Sequence, residues 1–201
     1  MSEIASFDKL CEHYRDTFGN HVKTLDSRNR LFFFLLISVG LFTVNITAAD
    51  ISASLISQIV EKSAGVTLGN GPEVFSSILW LAVAGMAIRY FQLAVQIERQ
   101  YTYLHALEAE INKHYQEGSV AFTREGASYN NNYPIFSNWL HFVYTKVFPV
   151  LLAAIAIANI WNEVRSGTWT LSNLVGVSCF LILEITIVLY MVFLHRNDPN
   201  D

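Results

Sequence analysis

Three side chains in this 201-residue sequence carry polar chemistry into apolar surroundings: Glu184, Arg89 and Asn45. A carboxyl group deep in hydrocarbon is a proton site, a ring member in an ion path, a switch, or half of an ion pair. A guanidinium at similar depth pairs with such a carboxylate or snorkels toward the headgroups. An amide hydrogen-bonds to a neighbouring helix or lines an aqueous path. The sequon Asn45-Ile46-Thr47 falls at membrane depth, so glycosylation is not expected there.

The runs that hold these residues are roughly 31–49, 75–95, 143–161 and 171–194. Each is long enough to cross a hydrocarbon core of ~30 Å as a helix. Basic residues stay on the cytoplasmic side during insertion. Lys9, Arg15, Lys23, Arg28 and Arg30 precede the first run. Arg89, Arg99, Lys113, Arg124 and Lys146 lie near or between the inner ends of the second and third, and Arg196 follows the fourth. Only Lys62 and Arg165 fall in the other two connections. The expected fold is therefore all-α: a four-helix transmembrane bundle with cytosolic amphipathic extensions and both termini inside. Runs two and four both end on the inner side. At ~1.5 Å per residue Arg89 then lies about 9 Å and Glu184 about 15 Å from that boundary, close enough for an extended Arg to bridge.

Composition agrees. Apolar residues make up 52% of the chain and charged ones 15%, a high ratio for a water-soluble domain. The first thirty residues are polar and lack the short apolar core of a signal peptide, so the first span is expected to act as its own insertion signal. Cys11 is expected in the cytosol and Cys179 inside run four, which argues against a disulfide.

The elements around the spans divide into two domains, 1–30 and 31–201. In the first, Ile4, Phe7, Cys11, Tyr14, Phe18, Val22 and Leu25 form one stripe of an amphipathic helix, with Gly19-Asn20 a possible interruption. The stripe packs on other cytosolic helices, forms a dimer seam, or lies on the membrane surface. Residues 50–73 form an outer connection, with Ile51, Leu55, Ile59 and Val60 in a short interfacial helix and 69–72 in a turn. One helix covers 74–116, ending at Gly118. Its far part carries Ile97, Tyr101, Leu104, Leu107, Ile111 and Tyr115 and forms a stalk. Residues 119–133 are a polar, aromatic loop. Arg124, Glu125, Tyr129 and Asn130 there, with Tyr101 and Leu104 on the stalk, are the candidate partner-binding residues. The loop's Asn residues could equally bond their own backbone in turns. A second amphipathic stretch, 135–146, carries Trp139, Phe142 and Tyr144 and is expected along the inner surface, with Lys146 marking the boundary and Pro149 in the first turn of the next helix. Trp161 and Trp169 flank the last connection as interface anchors. Small residues cluster at Ala82, Ala84 and Gly85 and at Ala154 and Ala158, for intramolecular packing or for self-association.

Catalytic chemistry is not expected. No phosphate loop, Cys-x-x-Cys pair, Ser/His/Asp grouping or HExxH is present. The six His residues, at 13, 21, 105, 114, 141 and 195, have no close metal spacing, so no cofactor or metal is expected. Mixed charge without a basic stripe argues against direct nucleic-acid binding.

The four runs, their cytoplasmic ends and the lack of a catalytic motif resemble the small four-span membrane subunits of bacterial anti-phage defence systems, of the Kiwa membrane-subunit type. The resemblance is one of architecture and carries no residue role. It implies an oligomeric inner-membrane sensor or effector with a soluble partner. The expected function is thus a non-enzymatic signalling subunit of the bacterial inner membrane whose partners are lipid, further copies of itself and a cytosolic protein. An oligomeric ion-conducting pore or membrane-disrupting effector is the alternative. A proton-coupled transporter ranks third, because the carboxylate stands alone and no span is visibly broken by paired Gly or Pro.

Overall fold

The computed structural model describes residues 2–47, 71–114, 135–165 and 170–196, with Ser54, Gln58, Glu61, Lys62 and Gly65. All the regular structure among the described residues is helical: α1 Ser2–Thr47, α2 Gly71–Asn112, α3 Ile135–Phe142, a π-helical turn Val143–Val147, α4 Phe148–Arg165 and α5 Leu171–Arg196. Four stretches are long and apolar enough to cross a membrane: Phe7–Val44, Glu73–Asn112, Trp139–Arg165 and Leu171–Arg196. This is the architecture of a multi-pass membrane protein.

The expected domain split gives way to a different one. One compact unit draws on Met1–Arg30 and Gln92–Phe142, the other on Leu31–Phe91 and Val143–Asp201. The N-terminal segment does not stand alone; it shares a unit with the stalk.

That first unit is an antiparallel helical hairpin. Tyr14, Leu104, Leu107 and Ile111 are buried together, and Phe7, Leu10 and Phe18 pack against them. The N-terminal stripe therefore meets the stalk stripe within one chain. Polar contacts repeat the register. Tyr14 donates to Glu108 Oε1 at 2.7 Å, His13 Nε2 lies 2.8 Å from Tyr103 Oη, and His21 Nδ1 lies 3.2 Å from Gln100 Oε1. Gln100 Nε2 donates to Thr24 Oγ1 at 3.4 Å. From Phe7–His114 through Tyr14–Glu108 to His21–Gln100 the number rises on α1 and falls on α2, so the two helices run oppositely. Gly19-Asn20 does not interrupt α1. Nothing lies within 4 Å of a Cβ built at Gly19, and packing on α2 outweighs the ~1 kcal/mol cost of a mid-helix Gly. On the outside, Lys113 donates to Glu110 Oε2 at 2.6 Å, and this hydrogen bond and charge hold the Glu110 carboxyl below its usual range.

The second unit is the bundle. Each helix supplies one inward stripe at helical spacing: Leu35, Val39 and Phe42 on α1; Trp80, Val83, Ala87 and Tyr90 on α2; Phe148, Leu152, Ala156 and Asn159 on α4; Gly176, Cys179, Leu183, Ile187 and Tyr190 on α5. The outward positions are apolar too, with Phe33 67%, Ile78 59% and Leu189 64% exposed. A helix that is hydrophobic all round belongs in a core or a membrane. α4 does not begin afresh at Lys146. The chain widens into the π turn and re-forms an α-helix with Pro149 as its second residue. A π turn bonds each carbonyl to the N–H five residues on, and five past Tyr144 stands Pro149, which has none. The Tyr90 hydroxyl donates to the Tyr144 carbonyl at 3.4 Å. α2 begins two residues earlier than the expected turn allows: Gly71 and Pro72 form its first turn, where Pro is tolerated. The helix ends at Asn112, and Gly118 and the interfacial residues Ile51, Leu55, Ile59 and Val60 lie outside the described residues.

Leu104→Ala should cost the hairpin ~2–5 kcal/mol, as for other buried Leu truncations, whereas Thr102→Ala, exposed two residues earlier, should change little. Hydrogen exchange of the α1 and α2 amides in detergent checks this. Equal protection in both variants would contradict the hairpin core.

Candidate functional site

Polar chemistry in the bundle is concentrated at one end, around a carboxylate that the sequence did not single out. Glu163, near the end of α4, accepts from the Trp80 indole N–H, with Nε1 3.1 Å from Oε1 and 3.2 Å from Oε2. Ser76, one helical turn before Trp80 on α2, donates to Glu163 Oε1. Beside them Ser172 donates to the Glu73 carbonyl at 2.7 Å and lies 2.7 Å from the Ser77 hydroxyl. A Cβ at Gly176 would sit 2.8 Å from Glu163 Oε2 and 3.1 Å from Trp80 Nε1. Gly176 of α5 is therefore the space into which the carboxylate and the indole fit. Asn159, one turn before Glu163, is buried on the same face.

This network joins α2, α4 and α5 and uses the carboxylate as an acceptor with both oxygens engaged. That is the arrangement of a structural clamp, because a general base needs an oxygen directed at a reacting proton. The signal in the sequence was the repeated spacing of four: Ser76 with Trp80, and Asn159 with Glu163. Neither pair is diagnostic until the two helices are known to face each other.

The residues singled out from the sequence take other places. Arg89 is exposed on α2. The inward positions at that level are filled by Ala87, Tyr90 and Phe91. Phe91 meets Tyr190 at 4.5 Å and Tyr90 meets Phe148 at 5.5 Å between ring centroids. Glu184 is half-buried on α5 between the buried Leu183 and Ile187, and its Oε1 is buried with no hydrogen-bond partner. Among the described residues no ion pair joins Glu184 to Arg89. The two are not brought together within one chain.

Asn45 lies in the last turn of α1, and its side chain is outside the described residues, as are Arg124, Glu125, Tyr129 and Asn130. Tyr101 is half-buried against His21, with ring centroids 4.5 Å apart. Leu104 is fully buried in the hairpin, which removes it from any surface a partner could read. The small residues divide: Ala84 packs inward, whereas Ala82, Gly85, Ala154 and Ala158 face outward, and nothing lies within 4 Å of a Cβ at Gly85. Cys11 and Cys179 are both free thiols. Among the described residues no group of three His, Cys, Asp or Glu could hold a metal ion.

No protein-family model, curated protein or solved structure matches the chain. Its function has to be argued from its own residues.

Two substitutions separate clamp from lone carboxylate. Gly176→Ala should push Glu163 off Trp80 and lower the melting temperature in detergent, with a loss of ~1–3 kcal/mol, the cost of breaking a buried hydrogen bond. A red shift of Trp80 emission should accompany it. Glu184→Leu should leave stability unchanged or raised, because it removes a buried oxygen that has no hydrogen-bond partner among the described residues. A sharp loss in the purified oligomer would show that a second copy supplies the missing partner.

Proposed function

We propose that this chain is a non-enzymatic, oligomeric sensor or signalling subunit of the bacterial inner membrane, with both termini in the cytosol, that couples the bilayer to a cytosolic protein. The observation that carries the reading is the hairpin. α1 and α2 each extend well beyond one bilayer crossing, and the extra length is spent on a module with apolar residues inside and charges outside. The bias of Lys and Arg along the sequence favours a cytosolic hairpin. Such a module is unnecessary for a passive anchor and suits docking to a soluble protein.

The docking surface on this reading is the hairpin's polar outside and the loop with Arg124, Glu125, Tyr129 and Asn130, with Tyr101 at its edge. Leu104 contributes by holding the hairpin shut. Self-association is favoured by the outward Ala82 and Gly85, which let a neighbouring helix approach closely. The resemblance to small four-span defence subunits points the same way, toward an antiviral or stress role. No cofactor and no nucleic acid is required.

A second reading rests on Glu184. A half-buried carboxylate in a span, with one oxygen lacking a protein partner, suits an ion path assembled from several copies.

Cross-linking of the full chain in native membranes, followed by mass spectrometry, should recover one cytosolic protein joined to the hairpin or to residues 115–134. Recovery of self-links and chaperones alone would overturn the coupling role. Gly85→Ile should shift the purified protein to a smaller assembly on light scattering while helicity is retained; an unchanged mass would remove the α2 face from the interface. Planar-bilayer recordings decide the alternative. Conductance that disappears in Glu184→Gln would favour the pore.

A further inference from the structure

One buried histidine of the hairpin has a fixed tautomer and no place for a second proton. Its hydrogen-bond chain sets the tautomer. The Thr24 hydroxyl donates to the Asn20 carbonyl at 2.9 Å, so its oxygen is left to accept from Gln100 Nε2 at 3.4 Å. That orients the Gln100 amide, whose Oε1 can only accept. His21 Nδ1, 3.2 Å from this Oε1, therefore carries the imidazole proton. Nε2 is then a bare lone pair. It is buried with no hydrogen-bond partner among the described residues, in a residue only 1% exposed. A second proton would place a charged N–H there with neither water nor an acceptor.

Among the described residues, no counter-charge lies within ion-pair distance of the ring. α2 meets His21 through Gln100 and through Tyr101, whose ring centroid is 4.5 Å away. An aromatic ring gives a cation less than the loss of water and acceptor takes away. His105, 6.1 Å from Tyr101 between ring centroids, is a second imidazole whose Nε2 is buried without a hydrogen-bond partner among the described residues. Lys23 of α1 and Glu98 and Arg99 of α2 are exposed, and Glu108 accepts from Tyr14.

We propose that the hairpin is a proton-operated latch, in which protonation of His21 at Nε2 separates α1 from α2. The open form holds the imidazole in water, where it takes up a proton freely; the closed form has no acceptor for it. Falling pH therefore favours the open form and rising pH the closed one. Histidine is the side chain that changes charge between about pH 5 and 8, so the latch works in the physiological range. Opening uncovers Leu104, Leu107 and Ile111, the apolar stripe that closure hides. The proposal goes beyond the docking role by naming what controls the docking module.

The test is double electron–electron resonance on the full chain in phosphatidylcholine nanodiscs. Spin labels sit at Asn20→Cys and Ala106→Cys, exposed sites on α1 and α2, in a Cys11→Ser, Cys179→Ala background. Labelled protein is diluted with unlabelled protein so that only distances within one chain are read. A single narrow distance at about pH 8 should give way, between about pH 7.5 and 5.5, to a longer and broader population. The open-to-closed ratio should rise by at most about tenfold per pH unit, the limit for one proton. In His21→Asn the amide can still donate toward Gln100 and nothing titrates, so the distance should stay short throughout. An unchanged wild-type distribution would overturn the proposal. So would a response retained in His21→Asn, which would assign the proton to His105 or a carboxylate. If His21→Asn is already open at about pH 8, the ring nitrogen-15 shifts of His21 in the wild-type side chain decide. Protonation of Nε2 and opening with a common midpoint support the latch, and protonation within a closed hairpin overturns it. No partner protein is present, so the outcome stands apart from the cross-linking that tests docking.

Discussion

Trp80 has to bury a large ring and still satisfy its N–H, and the bundle is arranged around that requirement. The residue is completely enclosed. Its ring lies 4.8 Å from Phe42 of α1 and 6.3 Å from Phe180 of α5, centroid to centroid. Its N–H reaches the Glu163 carboxylate of α4. One α2 side chain thus touches the other three helices of the unit. An indole N–H left without an acceptor in an apolar interior would cost several kcal/mol, which explains why a carboxylate is tolerated here. The absence of a side chain at Gly176 is the steric condition for the same arrangement. Ten residues further along α2, Tyr90 anchors a second aromatic layer with Phe32, Phe91 and Phe148. Between the layers the core is aliphatic, with Leu35, Val83, Leu152 and Leu183 fully buried.

The hairpin solves a different problem. Two amphipathic stripes can slide past one another by a turn with little change in buried area, because Leu, Ile and Phe are interchangeable partners. Polar contacts are not. Tyr14 with Glu108, and the chain from His21 through Gln100 to Thr24, are satisfied in one register only. A slip would leave the buried Glu108 and His21 without these partners, at a cost larger than the contacts contribute when made. Buried polar pairs at such positions are well suited to specifying register. The hairpin can therefore hold a defined shape at its surface while its interior remains mostly apolar.

These two devices assign different work to different parts of α1 and α2. In the bundle, most positions facing away from the core are apolar or small, with Arg89 an exception; in the hairpin, many of them are charged. In the bundle the best-placed carboxylate, Glu163, is fully engaged as an acceptor. Glu184 is the exception in the bundle, a carboxyl whose Oε1 is buried with no hydrogen-bond partner among the described residues.

Much of the architecture was legible in the residues. Four apolar runs of spanning length, the helical stripe from Phe7 to Leu25 and the stripe from Ile97 to Ile111 follow from periodicity, because a helix repeats every 3.6 residues whatever it packs against. Local propensity suggested a break at Gly19-Asn20, and it is overridden where both flanks are held by α2. The site was hardly legible. Arg89 and Glu184 stood out because charge in an apolar run is rare, yet rarity marks depth along a helix and does not settle which way a side chain points. Tyr90 and Phe91 take the inward positions next to Arg89, which is exposed. Leu104 read as an open stripe until α1 covered it. Glu163 passed unnoticed beyond the end of an apolar run, and only the meeting of α2, α4 and α5 made it the acceptor for Trp80. The sequence by itself determined which segments are helical and which can enter a bilayer, because both follow from contacts within a segment and its transfer from water. Which polar groups find partners was decided by the tertiary structure alone, because a hydrogen bond requires two groups within ~3 Å and these lie more than 80 residues apart in the chain.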